Sequence, residues 1–171
     1  MACELTVGHS IDCRDYIGGI QAVYLSNFDN VSSYAETAGT MTAITQVTAK
    51  SFFLYNLEKE NGVFTEAQEG NLETGSNMYT GTLTFTVKKL SAALVQELKL
   101  VALDRLWIII KDNNDNYFSF GAQFGADMLS SEAGTGTAFG DMNGFTLNFT
   151  SKEKAPMILI PQAVVDTLTV A

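Results

Sequence analysis

Two short segments of this chain alternate apolar and polar side chains without a break. In Thr82-Leu83-Thr84-Phe85-Thr86-Val87, the residues Leu83, Phe85 and Val87 fall on one side and three threonines on the other. Phe145-Thr146-Leu147-Asn148-Phe149-Thr150 repeats the pattern. Successive side chains of a strand point to opposite faces, so this period is that of a strand with one face buried and one face wet. The β-branched and aromatic residues suit such a surface. The two segments therefore call for a fold organised around sheet.

Other segments extend the sheet. Leu106-Trp107-Ile108-Ile109-Ile110-Lys111 is apolar at consecutive positions and reads as a strand covered on both sides. Asp112-Asn113-Asn114-Asp115-Asn116 then leads into Tyr117-Phe118-Ser119-Phe120-Gly121, a β-hairpin signal, because Asn and Asp cap their own turns. Weaker strands are expected at Ile20–Phe28, Met41–Val47, Ser51–Leu57 and Met157–Ile160. One helix is expected over about 91–104: Ser91 can cap it, and Leu94, Leu98 and Val101 form one apolar stripe. Lys88 and Lys89 precede it, the wrong end for the helix dipole, so they serve something else.

Two stretches lack periodicity. Residues 58–77 carry Glu58, Glu60, Glu66, Glu69 and Glu73 against Lys59 alone, and read as a long acidic loop or extended hairpin. Residues 125–144 contain Gly134, Gly136, Gly140 and Gly144 and read as a second long loop. The expected fold is mainly β: an antiparallel β-sandwich or barrel with one flanking α-helix and long loops. With 171 residues, no repeat and no linker, the chain is expected to form a single domain over 1–171, with an apolar C-terminal tail at about 156–171.

Charge narrows the function classes. The net charge is −9, and no block of Lys and Arg is present. Tight phosphate binding requires clustered cations, so specific nucleic-acid binding is not expected, nor is binding to anionic membranes. No run of 18 apolar residues exists for a spanning helix. MACELTVGHSIDC has neither a basic start nor an apolar run, so it is not read as a signal peptide. Without an export signal, Cys3 and Cys13 are expected to be free thiols. Charged residues are only 17%, below the roughly 25% of soluble domains, which suggests that part of the surface is covered by subunit contacts.

Sites for chemistry are scarce. His9 is the only histidine and lies far in sequence from any candidate nucleophile, so a catalytic triad is not expected. Cys3 and Cys13 are ten residues apart, unlike the close cysteine pairs of zinc sites, even with His9, Asp12 and Asp15 nearby. The Asp112–Asn116 run lacks the Gly and Glu of a calcium loop, with Tyr117 and Gln123 in their places. Gly134, Gly136 and Gly140 have the wrong spacing for a dinucleotide loop, and no P-loop lysine follows. No cofactor, metal or enzymatic activity is expected.

The remaining features concern surfaces. The threonine rows (Thr80, Thr82, Thr84, Thr86, Thr146, Thr150) are solvent faces of strands or a polar, nearly uncharged channel lining. The acidic segment is a solvated hairpin or an arm that orders against a neighbour, with Lys88, Lys89, Lys152 and Lys154 as candidate partners. The apolar tail docks on its own domain or on another subunit. Candidate subunit-interface residues are Glu60, Glu66, Glu69, Glu73, Lys88, Lys89, Ile158 and Ile160.

The stretches Asp12-Cys13-Arg14-Asp15, Gly18-Gly19-Ile20 and Val23-Tyr24-Leu25 resemble the opening of virion structural proteins from phages of the Bacteroidetes. More broadly, the chain is similar to tail tube proteins of long-tailed phages. The shared features are its size, its β-rich pattern, one amphipathic helix before a strong strand, and the turn Gly140-Asp141-Met142-Asn143-Gly144-Phe145. The resemblance implies a β-sandwich subunit that closes into hexameric rings, stacked into a hollow conduit for DNA ejection. It implies joined inner strands, a long loop reaching the next ring, and an acidic lumen past which genomic DNA slides unheld. Partners would be copies of the chain and other virion tail proteins, assembled in the host cytoplasm and located in the virion tail, with no membrane insertion. Other readings are a decoration, collar or tail-completion protein, and a non-viral β-barrel that binds a small ligand.

Overall fold

The structure is a computed structural model that describes residues 7–9 and 14–171. Its strands are β1 (Ile20–Asn27), β2 (Val31–Thr37), β3 (Thr40–Gln46), β4 (Phe53–Asn56), β5 (Gly62–Asn71), β6 (Ser76–Lys88), β7 (Leu106–Asp112), β8 (Tyr117–Phe120), β9 (Ala126–Gly134), β10 (Gly144–Glu153) and β11 (Leu159–Ile160). Helix α1 (Ala92–Val101) separates β6 from β7, and a one-turn helix α2 (Gln162–Val165) lies in the tail.

The two alternating segments lie within β6 and β10, and they pair with each other. Leu83 faces Phe149, Phe85 faces Leu147 and Val87 faces Phe145, so the apolar sets share one side. Leu83, Phe85, Leu147 and Phe149 are fully buried, and the Phe85 and Phe149 rings stack at 5.7 Å. β5 and β9 flank this pair, giving the layer β5-β6-β10-β9.

The second layer centres on β7, which pairs with β1 on one side and β8 on the other. β4 extends it beyond β1, and β11, β3 and β2 extend it beyond β8. All pairings are antiparallel except β11 with β3, so the sheet is mixed. A single residue pair, Leu106 with Ala126, joins the two layers. The sheet therefore bends sharply there and is not closed into a barrel. Gly121 makes the bend possible: its φ is +76°, and an added Cβ would stand 2.5 Å from the Ala126 nitrogen.

The layers enclose one core and β7 borders a second. Leu106, Ile108 and Ile110 face Leu83, Phe85, Leu147 and Phe149, with Leu98 of α1 closing one end. Phe64 of β5 meets Phe118 and Phe120 across this core at 5.2 and 5.5 Å. Trp107 and Ile109 face the other way, into a core of Met41, Phe52, Ile158, Ile160, Val165 and Leu168. β7 is thus covered on both sides, as its unbroken apolar run requires.

Most expected elements are present. Ser91 caps α1 by accepting the Leu94 N–H at 3.2 Å, and Leu94, Leu98 and Val101 all pack on the first core. The helix ends at Val101, three residues short of the expected end. The acidic stretch is an extended hairpin built from β5 and β6. Residues 125–144 are not one loop: β9 fills 126–134 by pairing with β10, and only 135–143 are irregular. β9 escapes a period-two reading because a bulge opposite Asn148 and Phe149 shifts its phase. β2 was not expected; its Val31-Ser32-Ser33-Tyr34 stretch exposes most of its side chains and shows no alternation.

The tail docks on its own chain. Val170 bridges to Phe52, and the Ala171 N–H donates to the Phe52 carbonyl at 2.8 Å, which covers that flank of β4. Ile158 and Ile160, expected as interface candidates, are core residues, each 3% exposed. Apolar side chains at a chain end find cover at once when a half-finished core lies beside them.

Candidate assembly surface

Among the described residues, no other element packs over the outer face of the β5-β6-β10-β9 layer, whose threonines are half-buried. Thr82, Thr84 and Thr86 of β6 stand beside Thr150, Asn148 and Thr146 of β10, with Val63 and Thr65 of β5 next to them. Thr84 donates to the Asn148 side chain at 3.3 Å, and Thr150 donates to the Gly81 carbonyl at 3.2 Å. Thr86 and Asn61 bond side chain to side chain. The centre of this face thus carries hydroxyl and amide groups and no charge.

Both edges of the layer are open. Among the described residues, β5 has no ladder partner beyond β6, and β9 past Ala126 has none beyond β10. Neither strand contains a lysine or proline, the residues that commonly guard exposed edges.

The candidate charged residues do not form one cluster. Glu69 lies on β5 and Glu73 in the hairpin tip, both exposed, while Lys88 and Lys89 sit at the far end of β6. β6 has 13 residues, which separates the two groups by about 40 Å at strand rise. Lys88 pairs with Glu58 of its own chain, and both side chains are solvent-exposed, so the pair contributes little. Lys89 and Glu60 occupy left-handed backbone positions in turns. Glu66 is half-buried and accepts the Met157 N–H at 3.0 and 3.1 Å, tying β5 to the tail.

A second carboxylate continues the inward row of β10. After Phe145, Leu147 and Phe149, the same phase gives Ser151 and Glu153, both buried. Glu153 accepts the Gln123 N–H at 3.0 Å and the Phe124 N–H at 3.4 Å, while the Gln123 side chain accepts the Lys154 N–H at 3.2 Å. Burial pushes the Glu153 carboxyl up, partly offset by those two N–H donors, and Glu66 pushes it further up. The period-two phase, extended past Thr150, was the sequence signal for Glu153.

Beside this clasp lies an open groove lined by Phe28, Ser33, Tyr34, Trp107, Phe124 and Lys154, among others, with no carboxylate in its lining among the described residues. Tyr34 stands edge-on to Trp107 at 5.3 Å. Lys154 lies over the Phe124 ring at 5.3 Å, and Arg105 over the Phe28 ring at 5.2 Å. The Trp107 indole N–H is buried without an acceptor, an arrangement that costs about 1–3 kcal/mol. Nothing in an unbroken apolar run marks one of its members as the wall of a groove.

Among the described residues, no group of three His, Cys, Asp or Glu could hold a metal ion, and no helix is long and apolar enough to cross a membrane. His9 is exposed; Cys3, Asp12 and Cys13 lie outside the described residues. Asp112 closes its hairpin turn, accepting from the Asn114 and Asn116 N–H groups at 2.8 and 2.7 Å. Burial would raise the Asp112 pKa, but bonds from Asn116 and Asn114 outweigh it and lower the value. The chain is a β-rich domain with an open, polar sheet face. It matches no protein-family model, no curated protein and no solved structure.

Proposed function

We propose that the chain is a structural subunit of a phage virion, a tail tube protein that closes into rings, hexameric in the resembled family, and stacks them into a DNA conduit. The observation that carries this reading is the β5-β6-β10-β9 layer, with two open edges and one polar face whose central rows are uncharged and are flanked by Lys152, Asp127, Glu132 and Glu69. Its four strands alternate in direction. A rotated copy therefore sets β9 antiparallel against β5 of its neighbour, and repetition around an axis removes every edge. The threonine and asparagine face would then line the lumen, where hydrated hydroxyls predominate and the one cation, Lys152, is outnumbered by Asp127, Glu132 and Glu69. An excess of 19 acidic over 10 basic residues supports passage in place of binding.

The test is negative-stain imaging of the purified chain across a concentration range. Rings or tubes of uniform diameter are expected, and a monodisperse monomer at the highest concentrations would overturn the reading. Thr65→Lys with Ala67→Lys places charge on the open β5 strand at two exposed positions. This pair is expected to leave the fold intact and to abolish rings; unchanged rings would remove the edge-joining step.

A further inference from the structure

The groove beside Trp107 and the tip of the acidic hairpin are complementary, although neither touches the other within one chain. Among the described residues, the groove has an aromatic floor, two cations beside it (Lys154 and Arg105) and no carboxylate in its lining, with Glu36 and Glu153 acting on Tyr34 from outside it. In a chain of net charge −9 this is an unusual patch. The hairpin tip carries the opposite set. Leu72 is fully exposed, and Glu69 and Glu73 flank it. The tip is already shaped: the Asn71 side chain accepts the Glu73 and Thr74 N–H groups at 2.9 and 3.2 Å, and Gly75 takes a φ of +65°. A preformed tip loses little entropy when it docks.

We propose that this groove receives the hairpin tip, residues 69–75, of a second copy of the chain. Leu72 would sit on the aromatic floor, with Glu69 and Glu73 toward Arg105 and Lys154. The proposal rests on the self-assembly reading above and adds the contact that sets register. Strand pairing also fixes the direction of the neighbour. β10 ends at Glu153 opposite Tyr79, and the tip extends past that same end, where Lys154 begins the groove wall. Tip and groove therefore lie at one end of the chain, so the copy that supplies the tip stands alongside, not stacked above. A single contact of this size is weak, and closure of a ring multiplies it.

The test uses the full chain and follows association by sedimentation across concentration. It also follows the emission of Trp107, the only tryptophan. Glu73→Lys and Lys154→Glu are each expected to raise the concentration needed for association about tenfold. Combining the two should restore most of the loss. Trp107 emission should change on association in the unaltered chain and change less in Leu72→Ala. Phe139→Ala, which removes a fully exposed ring from the loop after β9 at the opposite end of the layer, should leave the emission change intact. If the single variants associate like the unaltered chain, or the double variant is no better than the singles, the docking contact is overturned while self-assembly stands. If the unaltered chain never associates, both readings fail together.

Discussion

β7 and β6 are both central strands with hydrogen-bonded neighbours on each side, yet their sequences obey different rules. β7 is buried from Leu106 to Ile110 because a core lies against each of its faces. β6 buries every second residue, because its other face meets solvent. The comparison teaches that backbone pairing does not set the sequence pattern of a strand; the number of covered faces does. It also separates the part of the molecule that holds the fold together from the part left available for contact.

The largest effects should come from testing β7 on both sides. Ile108→Ala empties the first core and Ile109→Ala the second, and each is expected to cost about 2–5 kcal/mol in urea unfolding. Comparable losses would establish that both cores carry the fold. A cost below about 1 kcal/mol for Ile109→Ala would mean that the tail and β3 are only loosely applied to β7.

Next in size is a tight side-chain contact between the two layers. Gly81 of β6 lies against Phe120, and an added Cβ would stand 2.6 Å from the ring. Gly81→Ala must push that ring aside and is expected to cost about 1–3 kcal/mol. A neutral substitution would show that the layers can separate without penalty.

These particulars show what the sequence made legible. Alternation located β6 and β10, and the Ser91 cap with its apolar stripe located α1. Both rules act within one element. The bend at Gly121, the pairing of β9 and the docking of the tail depend on what lies opposite, and no local pattern encodes that. The candidate assembly surface divides the same way: the threonine face was visible from its period. The groove was not, since it joins residues from β2, β7 and the turns before β9 and after β10. Ile158 and Ile160 were apolar and near a terminus, which describes a core segment and an interface segment equally well.

A smaller effect should appear with pH. The folded-state pKa of Glu153 is raised above its ordinary value, so ionisation is easier in the unfolded chain. Its penalty is absent below about pH 4.3 and grows as pH rises through the folded value, so this group makes the fold less stable toward neutral pH. Asp112 acts in the opposite sense: its lowered pKa favours the fold above about pH 3.9 and loses that benefit in stronger acid. Glu153→Gln should therefore flatten the unfolding midpoint between mildly acidic and neutral pH. An unchanged slope would mean that the clasp on Gln123 and Phe124 fully compensates the buried charge.

The smallest effect is expected on the open face of β6, and it completes the comparison. Thr84→Val keeps the β-branched shape and removes only the hydroxyl that donates to Asn148, a group still within reach of water. The stability change should stay within about 0.5 kcal/mol, since neither packing nor a buried polar group is altered. The same one-atom logic applied to β7 is not neutral: placing a hydroxyl there would bury it without a partner. If Thr84→Val instead costs more than about 1.5 kcal/mol, its hydroxyl is held by more than one bond and the outer face is closer to a third packed layer than to a wet surface. A neutral result in the isolated chain, together with normal rings, would place this face on a surface that stays hydrated after assembly, as the lining of a conduit must.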